Sequence, residues 1–144
     1  MSHRMSAAEY RKLITDQPAD SQNGRYGANK RIKTADGKFD SKAEWKRWEF
    51  LILMEKLGEI SDLKRQAPYS FDHDGEHICT YVADFQYHLK DGTLIVEDMK
   101  GKIITPEFNL KRKLMKAFYK IVVIVVTRVR EEPGTPSPLP RKNR

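Results

Sequence analysis

The sequence predicts an α/β domain: a central mixed sheet of about four strands flanked by two helices, in the order helix, three strands, helix, strand. Three observations lead there. Two segments, about 41–57 and 106–119, carry apolar residues at helical spacing between recognisable start and stop signals. Three consecutive stretches within 65–100 are rich in β-branched and aromatic residues and are broken by a turn. A last run, 121–127, is almost wholly apolar and β-branched, as expected of a strand buried on both faces.

Taken in order, residues 1–30 are polar and basic with little periodicity, although 7–14 suits a short helix; they are expected to form a flexible basic arm. Residues 31–39 contain the pair Asp36-Gly37, which predicts a hairpin. Ser41 is a good N-cap with Glu44 three residues on. Trp45, Trp48, Leu51, Ile52 and Met54 then recur at helical spacing until Gly58, which predicts a helix over about 41–57. The strand candidates are 65–71, 78–89 and 93–100. Lys90-Asp91-Gly92 joins the last two as a hairpin, so the three should form an antiparallel meander. Pro106 opens the second helix, in which Phe108, Leu110, Leu114, Met115 and Phe118 supply apolar positions among Lys111, Arg112, Lys113, Lys116 and Lys120. Residues 131–144 hold four prolines and a basic end, so the folded domain is expected to span 31–130 and to be followed by a disordered tail.

A chain of 144 residues suffices for one domain, and a 39% hydrophobic share can supply its core. Lys and Arg number 27 against 20 acidic residues, a net charge of +7. That excess favours a polyanionic partner, with nucleic acid ahead of an anionic membrane. Many basic proteins bind nothing in particular, so charge sets only a direction. The lone cysteine, Cys79, cannot form an internal disulfide, and 1–10 lacks the apolar core of a signal peptide. With no apolar run long enough to span a membrane, the expected location is the cytoplasm.

Hydrolysis of a phosphodiester by water requires a nucleophile generated near neutral pH and charge stabilised on the phosphate, which carboxylate-held Mg2+ can provide. On the third strand Asp98 and Lys100 share a face while Glu97 points to the other. The spacing is cheap, because Asp36, Asp40, Glu44 and Asp62 are also followed by Lys two places later. Context separates Asp98: it closes the apolar run Leu94-Ile95-Val96, and the preceding strand carries Asp84 between Ala83 and Phe85. An acid there is costly to bury unless it is paired or bound to a cation.

Four stretches then carry a resemblance: Phe39-Asp40-Ser41-Lys42-Ala43-Glu44, Arg65-Gln66-Ala67-Pro68-Tyr69, Tyr81-Val82-Ala83-Asp84-Phe85 and Val96-Glu97-Asp98-Met99-Lys100-Gly101. In this order they resemble a family of small phage-encoded proteins of unknown function placed in the PD-(D/E)XK nuclease superfamily, and its resolvase-type and transposase-associated nucleases. The resemblance implies a restriction-endonuclease-like core and metal-dependent DNA cleavage in phage replication, recombination or processing, in the host cytoplasm. By it Asp84 matches the first motif acid, preceded by Ala83 where the pattern has Pro. Asp98 and Lys100 match the D/E-x-K motif, and Glu44 matches a helical acid found in several branches. Asp84, Asp98, the Met99 carbonyl and Glu44 would hold Mg2+ or Mn2+, and Lys100 would orient or help deprotonate the attacking water. Gln66 matches a position often near the site, and Lys102 and Lys111 are candidate DNA contacts. A homodimer, and other phage replication or recombination proteins as partners, follow from the same likeness.

Each assignment has a competitor. Glu44 is explained by a capping box with Ser41, yet it also begins the stripe Glu44, Trp48, Leu51, Glu55, which should point inward. Asp98 with Lys100 reads alternatively as an ordinary ion pair. Asp72, His73, Asp74, His77 and Cys79 contain zinc-ligand types but straddle a turn at Gly75. Thr105 is either a phosphate-facing hydroxyl or the N-cap before Pro106. The basic residues of the second helix, Lys111 among them, suit a solvated face as well as a phosphate contact. A branched-DNA resolvase is the closest functional variant of this reading, and two rivals stand against cleavage: one is a DNA-binding accessory protein on the same fold. The other is a basic structural protein whose strand acids are only ion pairs.

Overall fold

The computed structural model describes residues 31–101 and 103–137. The expected arm at 1–30, Lys102, and the basic end at 138–144 lie outside the described residues. The architecture is α/β. A four-stranded mixed sheet in the order β3-β4-β5-β6 is formed by β3 (Ile60–His73), β4 (Glu76–Leu89), β5 (Leu94–Met99) and β6 (Ile124–Val126). The first three strands are the expected antiparallel meander, and β6 returns parallel to β5 after a helix. Two helices, α1 (Lys42–Lys56) and α2 (Pro106–Tyr119), supply apolar residues to two separate core clusters on this sheet. No described helix is long and apolar enough to cross a membrane.

Helix α1 begins where the sequence says it should. The Ser41 hydroxyl accepts the Glu44 N–H at 3.1 Å, satisfying a donor that has no partner within the helix. It ends on Gly58 with φ +77°, whose N–H reaches the Glu55 carbonyl while the Glu59 N–H reaches that of Met54. This is a Schellman closure, for which a left-handed residue is needed. The face of α1 turned inward is Glu44, Arg47, Leu51 and Met54. Trp45 and Trp48 are only half-buried, and Glu55 is exposed, contrary to the expected stripe, because its carboxylate caps the Leu63 N–H at 2.8 Å.

The N-terminal hairpin is present as β1 (Ile32–Thr34) and β2 (Gly37–Phe39), with Gly37 pairing with Thr34. The loop is therefore Ala35-Asp36, one residue earlier than expected. Gly37 has φ +116°, and a Cβ there would stand 2.8 Å from Arg65 Nη1. Arg65 holds the hairpin down, donating to the Asp36 and Lys38 carbonyls and lying 3.8 Å from the Phe39 ring centroid.

Strands β3 and β4 carry an irregularity that alternation did not reveal. Tyr81, Ala83, Phe85 and Tyr87 have the same parity, yet the first two pack in the α2 cluster and the last two in the α1 cluster. The change of side falls at Asp84. Beside it on β3, between the pairs Arg65↔Phe85 and Ala67↔Ala83, stands Gln66 with φ +52°, and one left-handed residue reverses the alternation of a strand.

One expectation about the C-terminal part is corrected. Within 121–127 only Ile124–Val126 is strand, and Val122 is 65% exposed instead of covered. Beyond Arg130 the chain stays against the sheet. Residues 131–137 pack as a strap: the Ser137 N–H bonds the Val125 carbonyl, its hydroxyl accepts the Thr127 N–H, and the Gly134 N–H reaches the Tyr87 hydroxyl. Prolines stop this segment from forming a strand but not from lying against one, because its few bonded groups are not the proline nitrogens.

Candidate active site

Three elements converge on a cavity of about 580 Å³ whose walls include Asp40, Glu44, Asp84, Met99, Lys100 and Thr127. Strand β5 delivers Asp98 and Lys100 to one side of the sheet, two residues apart as alternation requires. Asp98 is buried beneath the wall, with 2% of its surface exposed. Its Oδ2 accepts the Tyr81 hydroxyl at 2.6 Å, and Lys100 Nζ lies 2.6 Å from Oδ1. That ion pair lacks hydrogen-bond angles, so Oδ1 is a buried acceptor with no hydrogen-bond partner.

Strand β4 delivers Asp84 at the switch of faces. The ladder between β4 and β5 runs to Phe85↔Glu97, which makes Asp84 and Asp98 the next pair across. There the Asp84 carboxylate takes over from the backbone, accepting the Met99 N–H at 2.8 Å. Burial, then the charges of Asp98 and Glu44, push the Asp84 carboxyl up to about 9. Helix α1 delivers Glu44, which burial and then Asp40 hold above the ordinary carboxylate range. Tyr81 is raised in turn by burial and by Asp98, so it stays a hydroxyl and a donor. Among the described residues on the cavity wall, Lys100 is the one cation against Asp40, Glu44 and Asp84.

Among the described residues no three His, Cys, Asp or Glu side chains form a ready-made metal cage. The donor set nevertheless suits a hard divalent ion. Mg2+ commonly keeps several waters and needs only one or two carboxylates plus substrate phosphate. Asp84 and Asp98 would meet that need, Asp98 through an Oδ1 that now meets only the Lys100 ammonium, with Glu44 on the same wall. The His/Cys group does not act together: His77 Nδ1 pairs with Asp72 at 2.7 Å, His73 leans on Asp74, and Cys79 packs against the apolar cluster.

Glu44, Asp84, Asp98, Met99 and Lys100 are thus brought together. Gln66 is exposed and does not line the cavity; it supplies the left-handed step beside Asp84. Lys111 is tied to Glu107 at 2.9 Å, one helical turn away. Thr105 is the N-cap of α2, accepting the Phe108 N–H at 3.2 Å. Sequence reasoning missed Tyr81, whose ordinary strand composition hides its hydroxyl's role, and Thr127 and Asp40 on the wall.

It also missed what lies behind the site. Glu97, pointing to the opposite face as expected, receives Arg47 in a two-pronged ion pair at 2.7 and 2.9 Å and the Tyr87 hydroxyl at 2.6 Å. Arg47 is fully buried; burial works against its charge, but the bonds to Glu97 outweigh it and its pKa is raised. Its third nitrogen binds the Val129 and Glu131 carbonyls, locking the strap against the sheet.

A family model described as "Protein of unknown function (DUF1064)" matches residues 23–130. The chain belongs to this family. No curated protein and no solved structure matches it. The span that defines this DUF1064 chain takes in all six described strands, both described helices and every described carboxylate of the cavity, and stops just before the strap.

Proposed function

We propose that this DUF1064 protein is a divalent-metal-dependent endodeoxyribonuclease of the PD-(D/E)XK type. The observation that carries the reading is the nearness of Asp84 and Asp98 on adjacent strands, one step beyond the Phe85↔Glu97 pair, beside Lys100 and at a wall shared with Glu44. Two carboxyls so close, with one ammonium beside them, cannot both carry charge without a further cation, which is why Asp84 keeps a proton in the metal-free protein. Acid and amine together at a cavity are what phosphodiester hydrolysis asks for.

Asp84 and Asp98 would hold Mg2+ or Mn2+, with the Met99 carbonyl and Glu44 completing its surroundings directly or through water. An ion held there would supply a bound water of lowered pKa and offset charge on the phosphate. The chain's own groups do the rest. Tyr81 fixes the rotamer of Asp98 through Oδ2 and turns Oδ1 towards Lys100, which would share that oxygen with the ion. The Met99 N–H fixes Asp84 in the same way. Lys100, already at the Asp98 carboxylate, aims its ammonium at the attacking water or the scissile phosphate. The sequence likeness makes branched DNA a favoured substrate, and a homodimer, phage replication or recombination partners and the host cytoplasm belong to the same reading.

The test is incubation of the purified chain with supercoiled plasmid, a cruciform and single-stranded DNA, in Mg2+, in Mn2+ and in EDTA, beside Asp98→Ala and Lys100→Ala. Nicking should require the ion and fall more than about a hundredfold in both variants, with unchanged circular dichroism. Nicking that survives Asp98→Ala, or DNA binding without any metal-dependent nicking, rejects cleavage at this site; the second outcome leaves the accessory-protein reading.

A further inference from the structure

A second concavity, of about 330 Å³, opens between helix α2 and the segment leading into β6. It is lined by Asn109, Arg112, Lys113, Lys116, Val122 and Val123. Among the described residues no acidic side chain lines it. Asn109, Lys113 and Lys116 recur at i, i+4 and i+7, which places them on one exposed stripe of α2, and Lys120 continues that stripe at its end. None of Arg112, Lys113 and Lys116 forms an ion pair with a described residue, whereas their neighbour Lys111 is occupied by Glu107. Three cations are thus held in a groove with nothing described to neutralise them.

The groove begins one aromatic ring away from the carboxylate cavity. The Phe108 ring has Lys100 Nζ at 4.4 Å from its centroid and the Arg112 guanidinium at 5.8 Å. Phe108 itself is buried in the α2 cluster, so it is a fixed spacer between the two cations. Lys100, Arg112, Lys113 and Lys116 therefore lead from the candidate cleavage site along the side of α2. A polyanion lying across the cavity has this path as its nearest continuation of positive charge.

The chemistry of the lining selects which part of a nucleic acid it would take. No aromatic ring lines the groove, so it has no platform on which an unpaired base would stack. Its apolar floor is the 65% exposed Val122, which suits a sugar face, and its donors are flexible amines and one guanidinium, which suit phosphate oxygens. Resting on the reading of the carboxylate site as a DNA nuclease centre, we propose that this groove binds the sugar-phosphate backbone of the duplex flanking the scissile bond. It holds that backbone without regard to base sequence and fixes the substrate's direction across Asp84 and Asp98.

The measurement is fluorescence anisotropy of the full chain with labelled duplexes of unrelated sequence, in EDTA so that nothing is cut, across a salt series. The variants are Lys113→Ala/Lys116→Ala and, independently, Val122→Asp, which puts an opposing charge on an exposed floor position. The double variant should bind all the duplexes about tenfold more weakly and lower the slope of log K against log salt by about 2, one for each lost phosphate contact. Val122→Asp should weaken binding to the same extent, while Asp98→Ala should bind duplex at least as well as wild type. Wild-type affinity and slope in both groove variants overturns the groove. So does a chain that binds vesicles containing anionic lipid but no duplex. The two proposals separate cleanly: groove variants that bind poorly in a chain that never nicks uphold the groove and sink cleavage. Metal-dependent nicking with undiminished binding in the groove variants does the reverse.

Discussion

Replacing Asp84 by Asn should make the metal-free protein more stable, the opposite of what most substitutions at a packed position do. Burial and the charges of Asp98 and Glu44 push Asp84 from an ordinary 3.8 up to about 9, so the native state keeps a proton that the unfolded chain releases near pH 4. Native protein then binds more protons than unfolded protein between those values, and stability falls as pH rises from about 4 to about 9, with no contribution to the slope outside that window. Each unit is worth about 1.4 kcal/mol, so the gap from 3.8 to neutrality sets a ceiling of about 4 kcal/mol. Charge shared with Asp98 and partial exposure to the cavity reduce this to about 2 kcal/mol. Asn removes the penalty without opening a hole: its carbonyl can still accept the Met99 N–H, and its amide can donate towards Asp98. In thermal unfolding with EDTA the variant should exceed wild type by about 6 °C at pH 7, at about 3 °C per kcal/mol for a chain of this size. The gap should widen towards pH 8.5 and narrow towards pH 5. Added Mg2+ should raise the wild-type Tm and leave the variant's unchanged. A variant that melts at or below wild type at pH 8 in EDTA would refute the premise that these carboxyls are crowded and uncompensated.

Three further outcomes are expected. Glu97→Gln leaves the Arg47 guanidinium buried without a full counter-charge, at a cost of about 3–5 kcal/mol in urea denaturation, and should expose the 131–137 strap to proteases; the apolar pair Arg47→Met/Glu97→Leu should recover most of that loss. Tyr81→Phe deletes the donor to Asp98 Oδ2 and should cost about 1–3 kcal/mol without metal, with part of that loss recovered when Mg2+ is added. Gly37→Ala forces a Cβ against Arg65 at a positive φ and should lower stability by about 1–2 kcal/mol, read as a shift in the urea midpoint with an unchanged slope.

Much of this molecule was legible because its signals are local. Ser41, Gly58 and Pro106 are chemical punctuation: α1 starts and stops on the first two and α2 starts on the third. The meander followed from β-rich runs joined by Lys90-Asp91-Gly92, and alternation alone put Asp98 with Lys100 and turned Glu97 away. Alternation failed where a single backbone angle changed. Gln66 is an unremarkable residue type for a left-handed φ, so nothing in the sequence announced that β3 and β4 change sides beside Asp84.

What the sequence determined by itself was the order and kind of the elements, and which strand acid would share a face with Lys100, since caps, turns and side-chain periods act within a few residues. Tertiary structure alone decided that Asp84 would lie next to Asp98, that Tyr81 would hold that carboxylate, and that Arg47 would cross 50 positions to neutralise Glu97 and tie down the strap. The physical reason is that a buried charge must find its partner through space, where low dielectric makes the pairing strong and chain distance counts for nothing.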